Sequence, residues 1–231
     1  MLTLSVDTSS RVGSLAVLND QSILGVVSTS SDEAYSARMF RQLEFMLAEL
    51  GIGLPAIDLY AVVAGPGSFT GLRVGLAAVK GWAEDYQRPV APVSGLEAVA
   101  SEAPMQRGLV ASILDARRGQ IYGALYSKES GRLDARISDL VCAPGEFLAA
   151  LRDAASPADI TFASPVPETL QHALAGTDFA QCGVMRVSPV LAPAAGLLGI
   201  ERAARGDVVT ALELDANYVR RTDAEIHLKG S

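Results

Sequence analysis

The segment from Ala61 to Trp82, AVVAGPGSFTGLRVGLAAVKGW, constrains this chain more than any other stretch. Its centre, GPGSFTGLR, sets three glycines, a proline, a serine and a threonine between two apolar runs. A valine-rich run that stops at glycine and resumes with helical spacing reads as strand, sharp corner and helix. The strand, DLYAVVA, is nearly all apolar, as befits a central strand covered on both faces. The helix opens at Thr70 or Gly71 and runs to about Gln87, where Pro89 stops it. These elements predict an α/β layered fold.

The surrounding patterns fill in that fold. LTLSVDTS, GSLAVLN and ILGVVSTS alternate as three strands, with Ser9, Ser10 and Arg11 near the first turn. Residues 32–50 change to helical period, with Tyr35, Met39, Leu43, Met46, Leu47 and Leu50 on one face, Ser31 or Asp32 as the cap and Gly51 as the stop. In the second half, GLVASILDA and QIYGALYS flank Arg117, Arg118 and Gly119 as a hairpin, and RISDLVC extends that sheet. Helical segments are expected at 145–152, 168–174 and 192–205, the last ended by Gly206. Three adjacent strands opening each half suggest a duplication, and the punctuation by Pro104 and Gly108 divides the chain into lobes at 1–104 and 105–231.

Composition narrows the function classes. With 231 residues, 49% hydrophobic and 19% charged, the chain has the makings of a substantial core. No apolar run reaches the roughly 18 residues of a membrane helix, and MLTLSVDTSS lacks a basic leader, so a cytoplasmic location is expected. The net charge of −7 and pI near 4.9 repel a phosphate backbone, so if nucleic acid is involved another subunit is expected to supply most of the grip. Two small basic pairs, Arg117–Arg118 and Arg220–Arg221, read as solvated surface. Cys142 and Cys182 lack metal-ligand spacing and read as small apolar side chains.

The corner itself admits two readings. A glycine loop feeding a helix N-terminus can hold an anion, with Gly65, Gly67 and Gly71 allowing close approach, Ser68 and Thr70 adding hydroxyls, and Arg73 reaching a phosphate. The spacing is neither a Walker loop nor a dinucleotide fingerprint. A turn that packs a helix tightly on a sheet explains the glycines equally well. The helix behind the corner is apolar on two sides: Leu72, Leu76, Val79, Ala83 and Tyr86 form the core stripe, while Val74, Ala77, Ala78 and Gly81 lie opposite, with Asp85 close by. The preceding helix repeats this with Ala34, Ala37, Phe45 and Ala48 beside Arg38 and Arg41. Either the two helices cover each other and the second lobe, or they meet another chain.

Four segments together resemble one family: SVDTSSRVGSLAVL, GPGSFTGLRVGLAAVKG, PVSGLEAVA and ILDARRGQIYGALY, with DANYVRR matching its C-terminal segment. This is the TsaB (YeaZ) family of the bacterial machinery that makes threonylcarbamoyladenosine beside the tRNA anticodon. The resemblance implies a two-lobed actin-like (ASKHA, RNase H-like) fold with a degenerate second lobe. It implies a non-catalytic dimerisation or scaffold subunit that binds and activates the catalytic paralogue TsaD through its first-lobe helices, and that self-associates as a homodimer. TsaC-type enzymes would supply threonylcarbamoyl-AMP, a TsaE-type ATPase would join the complex, and tRNA would be met only through that complex. No cofactor is required, and weak ATP or ADP binding is expected at the subunit boundary. The chain departs from the family at Tyr35, where histidine is usual, at Asn217, where proline is usual, and at 162–168, FASPVPE, in place of a short glycine motif.

An ATP-dependent phosphotransferase or ATPase of the same fold is the alternative. It would use Asp7, Thr8, Ser9 and Ser10 as one phosphate loop, the 65–73 loop beside it, and Asp115 in a second, yet the second half has no adenosine-binding glycine pair. A metallopeptidase is disfavoured because the only histidines, His172 and His227, have no ligand-pair spacing, so no metal site is expected. Ser68, between Gly67 and Phe69, does not form a nucleophile elbow.

Overall fold

A computed structural model describes residues 1–31 and 33–219. The first sheet takes β1 (Leu2–Asp7), β2 (Val12–Asn19), β3 (Ser22–Ser30), β4 (Leu59–Gly65) and β5 (Val90–Ser94) in the order β3-β2-β1-β4-β5. The second takes β6 (Arg107–Arg117), β7 (Gln120–Glu129), β8 (Arg132–Cys142), β9 (Ile160–Ser164) and β10 (Val184–Arg186) in the order β8-β7-β6-β9-β10. In each, the first three strands pair antiparallel and the last two run parallel to the first. Each half of the chain contributes three helices, one after the third, fourth and fifth strands of its sheet: α1 (Tyr35–Leu50), α2 (Phe69–Tyr86) and α3 (Gly95–Ser101), then α4 (Pro144–Ala154), α5 (Glu168–Leu174) and α6 (Ala192–Ala204). The duplication suggested by the sequence is therefore complete in the topology.

The helices exchange sides at the middle. α6 packs on β1, β2, β4 and β5 of the first sheet, while α3 packs on β6 and β7 of the second. Two glycines let α6 come close: a Cβ at Gly196 would sit 2.5 Å from Leu18 Cδ1, and one at Gly199 2.7 Å from Ala61 Cβ. With α2 on one face and α6 on the other, all seven residues of β4 are buried. Each buried valine or leucine there contributes roughly 1.5–3 kcal/mol. Lys128 is buried too, and its ammonium donates to the carbonyls of Ser101 (2.9 Å) and Ala103 (2.6 Å) at the end of α3.

Differences from the sequence reading have local causes. α1 starts at Tyr35 after an extended Ala34, without a side-chain cap, because the Ser31 hydroxyl accepts the Glu33 amide and turns the chain before the helix; Asp32, the other expected cap, lies outside the described residues. α2 starts one residue earlier than expected, capped by Ser68, and closes on Gln87 in the left-handed region. β5 escaped notice because Pro92 interrupts it, which an edge strand tolerates. α3 and β10 are too short for periodicity to register. The Arg220–Arg221 pair and His227 lie outside the described residues.

Candidate functional site

The two lobes enclose a cleft of about 1000 Å³. Of the expected anion-binding residues, Thr8, Ser9, Ser10, Gly67, Ser68, Thr70 and Gly71 line it, whereas Asp7, Gly65 and Arg73 do not. Asp7 ends β1 fully buried, its Oδ1 accepting the Ser9 amide (2.9 Å) and hydroxyl (2.6 Å), and its Oδ2 has no hydrogen-bond partner among the described residues. Burial pushes this carboxyl up to about 6 despite the Ser9 hydrogen bonds, which pull the other way. Arg73 lies outside, its guanidinium 3.7 Å from the Phe69 ring centroid and its Nε donating to the Tyr218 hydroxyl at 3.4 Å.

The glycines of the corner are accounted for by the chain itself. A Cβ at Gly71 would stand 2.0 Å from the Thr8 carbonyl oxygen, and one at Gly67 2.5 Å from that of Ser9. At Gly65, with φ +136°, a Cβ would meet the Asn217 carbonyl oxygen at 2.5 Å. The Ser68 amide donates to the Ser9 carbonyl (2.7 Å), and the Thr8 hydroxyl donates to the Gly71 carbonyl (2.8 Å). Groups that a phosphate cradle would leave for ligand thus clasp β1 to α2. Gly75, which the sequence reading passed over, belongs to the same contact, since a Cβ there would lie 2.3 Å from Thr8 Oγ1.

A second polar cluster bridges the lobes, and periodicity gave no sign of it. Asp139 on β8 accepts hydrogen bonds from the Ser94 hydroxyl (2.6 Å), the Asn217 side-chain amide (2.8 Å) and the Tyr126 hydroxyl (3.2 Å). Burial pushes its carboxyl up, and hydrogen bonds led by that of Ser94 pull it back. Asn217 also donates its backbone amide to Ala64 (2.8 Å). Arg202 on α6 reaches Glu97 on α3 and the Pro92 carbonyl. Among the described residues no group of three His, Cys, Asp or Glu side chains could hold a metal ion, and no helix is long and apolar enough to cross a membrane.

The two-faced helices present an open surface. Phe45 is 60% and Phe40 51% exposed on α1, and Ala34, Ala37, Arg41, Ala77, Gly81 and Asp85 are exposed around them. Val74 and Ala78 are half-buried against the first-lobe core. Phe40 meets Trp82 edge-on at 6.2 Å; neither had stood out in the sequence as part of this face. Arg41 pairs with Glu33 at 3.0 Å. Arg38 is the exception: it is buried, donates to the Thr29 carbonyl and hydroxyl and to the Arg11 carbonyl, and lies 4.0 Å over the Tyr35 ring. Its long stem folds back onto β3, so it holds α1 in place.

Two duplicated sheets of matching strand order, exchanging their third helices around a central cleft, define the actin-like (ASKHA-type) class of α/β proteins. A family model described as "TsaD: tRNA N6-adenosine threonylcarbamoyltransferase" matches residues 13–192. Within that family the chain belongs to the TsaB (YeaZ) branch. It is 29% identical over 153 residues to the tRNA threonylcarbamoyladenosine biosynthesis protein TsaB of Bacillus subtilis, covering 66% of this chain and 67% of that protein. To the protein of the same name from Haemophilus influenzae it is 31% identical over 160 residues, covering 65% and 67%. The solved structure of YeaZ from Pseudomonas aeruginosa superposes with a TM-score of 0.75 at 26% identity, over 94% of this chain and 99% of that one.

Proposed function

We propose that this protein is an accessory, non-catalytic subunit of the cytoplasmic machinery that installs threonylcarbamoyl on tRNA adenosine, and that it docks and activates a TsaD-type catalytic relative through α1 and α2. The observation that carries the reading is the unpartnered apolar surface at Phe40, Phe45, Ala77 and Gly81. Aromatic anchors with small residues around them suit a helix from another chain laid across the pair. Self-association as a homodimer would use the same face when the partner is absent. A TsaE-type ATPase joins the docked pair, tRNA is reached through the complex, and any weak ATP or ADP binding belongs to the subunit boundary. The corner supports the non-catalytic part of the reading: the Asp7 carboxylate is enclosed, and the loop amide of Ser68 is committed to Ser9. A phosphotransferase of this fold would need both turned toward its substrate.

Gly81 supplies the test. Among the described residues nothing lies within 4 Å of a Cβ there, so Gly81→Glu places a carboxylate in the open face without disturbing the fold. Glutamate also forms helix better than glycine. Co-purification with the TsaD-type relative is expected to weaken at least tenfold, by the cost of burying an unpaired charge, while the melting temperature does not fall. Binding equal to that of the unaltered chain would reject this face.

A further inference from the structure

Beyond α6 the chain turns back over the first lobe, and its last described residues form a strap with a firm root and a lightly held tip. At the root, Val209 and Val90 of β5 exchange two backbone hydrogen bonds (2.8 and 2.9 Å), and the Leu214 amide donates to the Thr210 carbonyl (3.1 Å). The side chains of Ala211 and Leu214 are buried in the first-lobe core. None of the described residues after Leu214 is fully buried. The tip, residues 215–219, is held by contacts that water can replace in turn. Asn217 donates its backbone amide to the Ala64 carbonyl and its side-chain amide to Asp139 Oδ2, both at 2.8 Å. The Tyr218 ring lies 5.1 Å from that of Phe69, its hydroxyl accepts from Arg73, and Val219 packs half-buried on the core between the lobes.

The tip crosses from one lobe to the other. Asn217, Tyr218 and Val219 line the cleft, so the tip is part of its wall, while Asp139, which catches Asn217, stands on β8 of the second lobe. The catch outlasts the bond it makes. When Asn217 leaves, Asp139 Oδ2 still accepts from the Ser94 hydroxyl and Oδ1 from the Tyr126 hydroxyl, and the exposed Asn217 amide returns to water. Breaking this bond therefore strands no buried polar group, which is what makes most hydrogen bonds costly to open. The seat is shaped for the strap as well: Gly65, lacking a side chain, lets the Asn217 carbonyl lie directly against the corner. Local openings of this kind start where buried apolar contacts are few, and the contrast between Leu214 and the five residues after it places the hinge at Asp215.

We propose that residues 215–219 are a hinged strap over one side of the cleft, latched by Asn217 on Asp139 and swinging about the Leu214 root, so that the cleft opens beside the start of α2 without separation of the lobes. Open, the strap uncovers the Ala64 carbonyl and releases Phe69 and Arg73 from Tyr218. The device stands apart from the helix face assigned to the partner protein, which lies further along α2 at Ala77 and Gly81. Amide hydrogen exchange followed by NMR on the full chain near pH 7.5 tests it. Relative to free-peptide rates, the Asn217 amide is expected to exchange at least about tenfold faster than the Val209 amide, because the tip opens while the root stays shut. Asn217→Asp sets a second carboxylate against Asp139 and is expected to lower protection at residue 217 by a further factor of about ten, with Val209 unmoved. Adding Asp139→Asn restores an amide–carboxylate pair with donor and acceptor exchanged, and protection is expected to return. A Val219→Cys probe supplies a second reading: its alkylation by N-ethylmaleimide, followed at that residue by mass spectrometry, should speed up with Asn217→Asp and slow again with the added Asp139→Asn. Exchange at residues 217 and 209 in step, protection unmoved by Asn217→Asp, equal loss at both residues in that variant, or failure of Asp139→Asn to restore it would each overturn the strap.

Discussion

Gly71→Ala is expected to destabilise the protein by about 3 kcal/mol or more, while Gly81→Ala, ten residues further along the same helix, stabilises it by about 0.5–1 kcal/mol. The opposite signs reflect the surroundings of each new methyl. At Gly71 it would stand 2.0 Å from the Thr8 backbone oxygen, which is pinned by the β1 ladder and cannot rotate away. Relief requires α2 to lift from β1, breaking the Thr8 hydroxyl bond to Gly71 and the Ser68 amide bond to Ser9. At Gly81 the methyl points into open space on an exposed turn of helix, and alanine gains the backbone entropy that glycine loses on folding. Urea unfolding of the two variants beside the unaltered chain measures both. A Gly71→Ala protein as stable as its parent would mean that the corner is not held by this contact.

Asp7→Asn is expected to remove a pH-dependent loss of stability. The native carboxyl titrates at about 6, above its ordinary 3.8, so between those values the folded protein binds more protons than the unfolded chain. Stability contributed at this site therefore falls as pH rises from about 4 through 6, and the loss is complete above that window. A displacement of this size corresponds to about 3 kcal/mol. Asparagine retains the oxygen that accepts from the Ser9 amide and hydroxyl, and it never ionises. The variant should match the parent near pH 4 and exceed it by about 3 kcal/mol at pH 7.5, as read by denaturant midpoints across that range. A difference that stays flat with pH would show that the buried carboxyl does not titrate there.

Local patterns in the sequence carried a large share of the fold, while the contacts that give the site its meaning lay beyond them. The strand, corner and helix at 59–86 were legible because apolar continuity, glycine and helical spacing succeed one another without interruption. The hairpin at Arg117–Gly119 was legible from two alternating runs around a glycine turn. The glycines themselves were ambiguous, since a glycine announces close approach without saying to what. Their partners, Thr8 and Ser9, lie at the far end of another strand, and only the parallel pairing of β1 with β4 brings them near. Asp139 sits in a strand that alternates too weakly to mark it, and the groups that converge on it come from three distant segments. Arg38 shows the limit of a helical wheel, which gives the direction in which a side chain leaves the helix but not where a flexible stem returns.

The exchange of α3 and α6 between the sheets makes the loop between the two halves a poor place to cut. Residues 1–104 alone would keep α3 with no sheet beneath it and would lay bare the face of the first sheet that Gly196 and Gly199 of α6 press upon. Residues 105–231 would face the mirror-image problem. Each half is thus the lid of the other, and neither is an autonomous folding unit. The molecule should melt in a single cooperative transition, and a push on its helical face should reach the far lobe as the displacement of one rigid body.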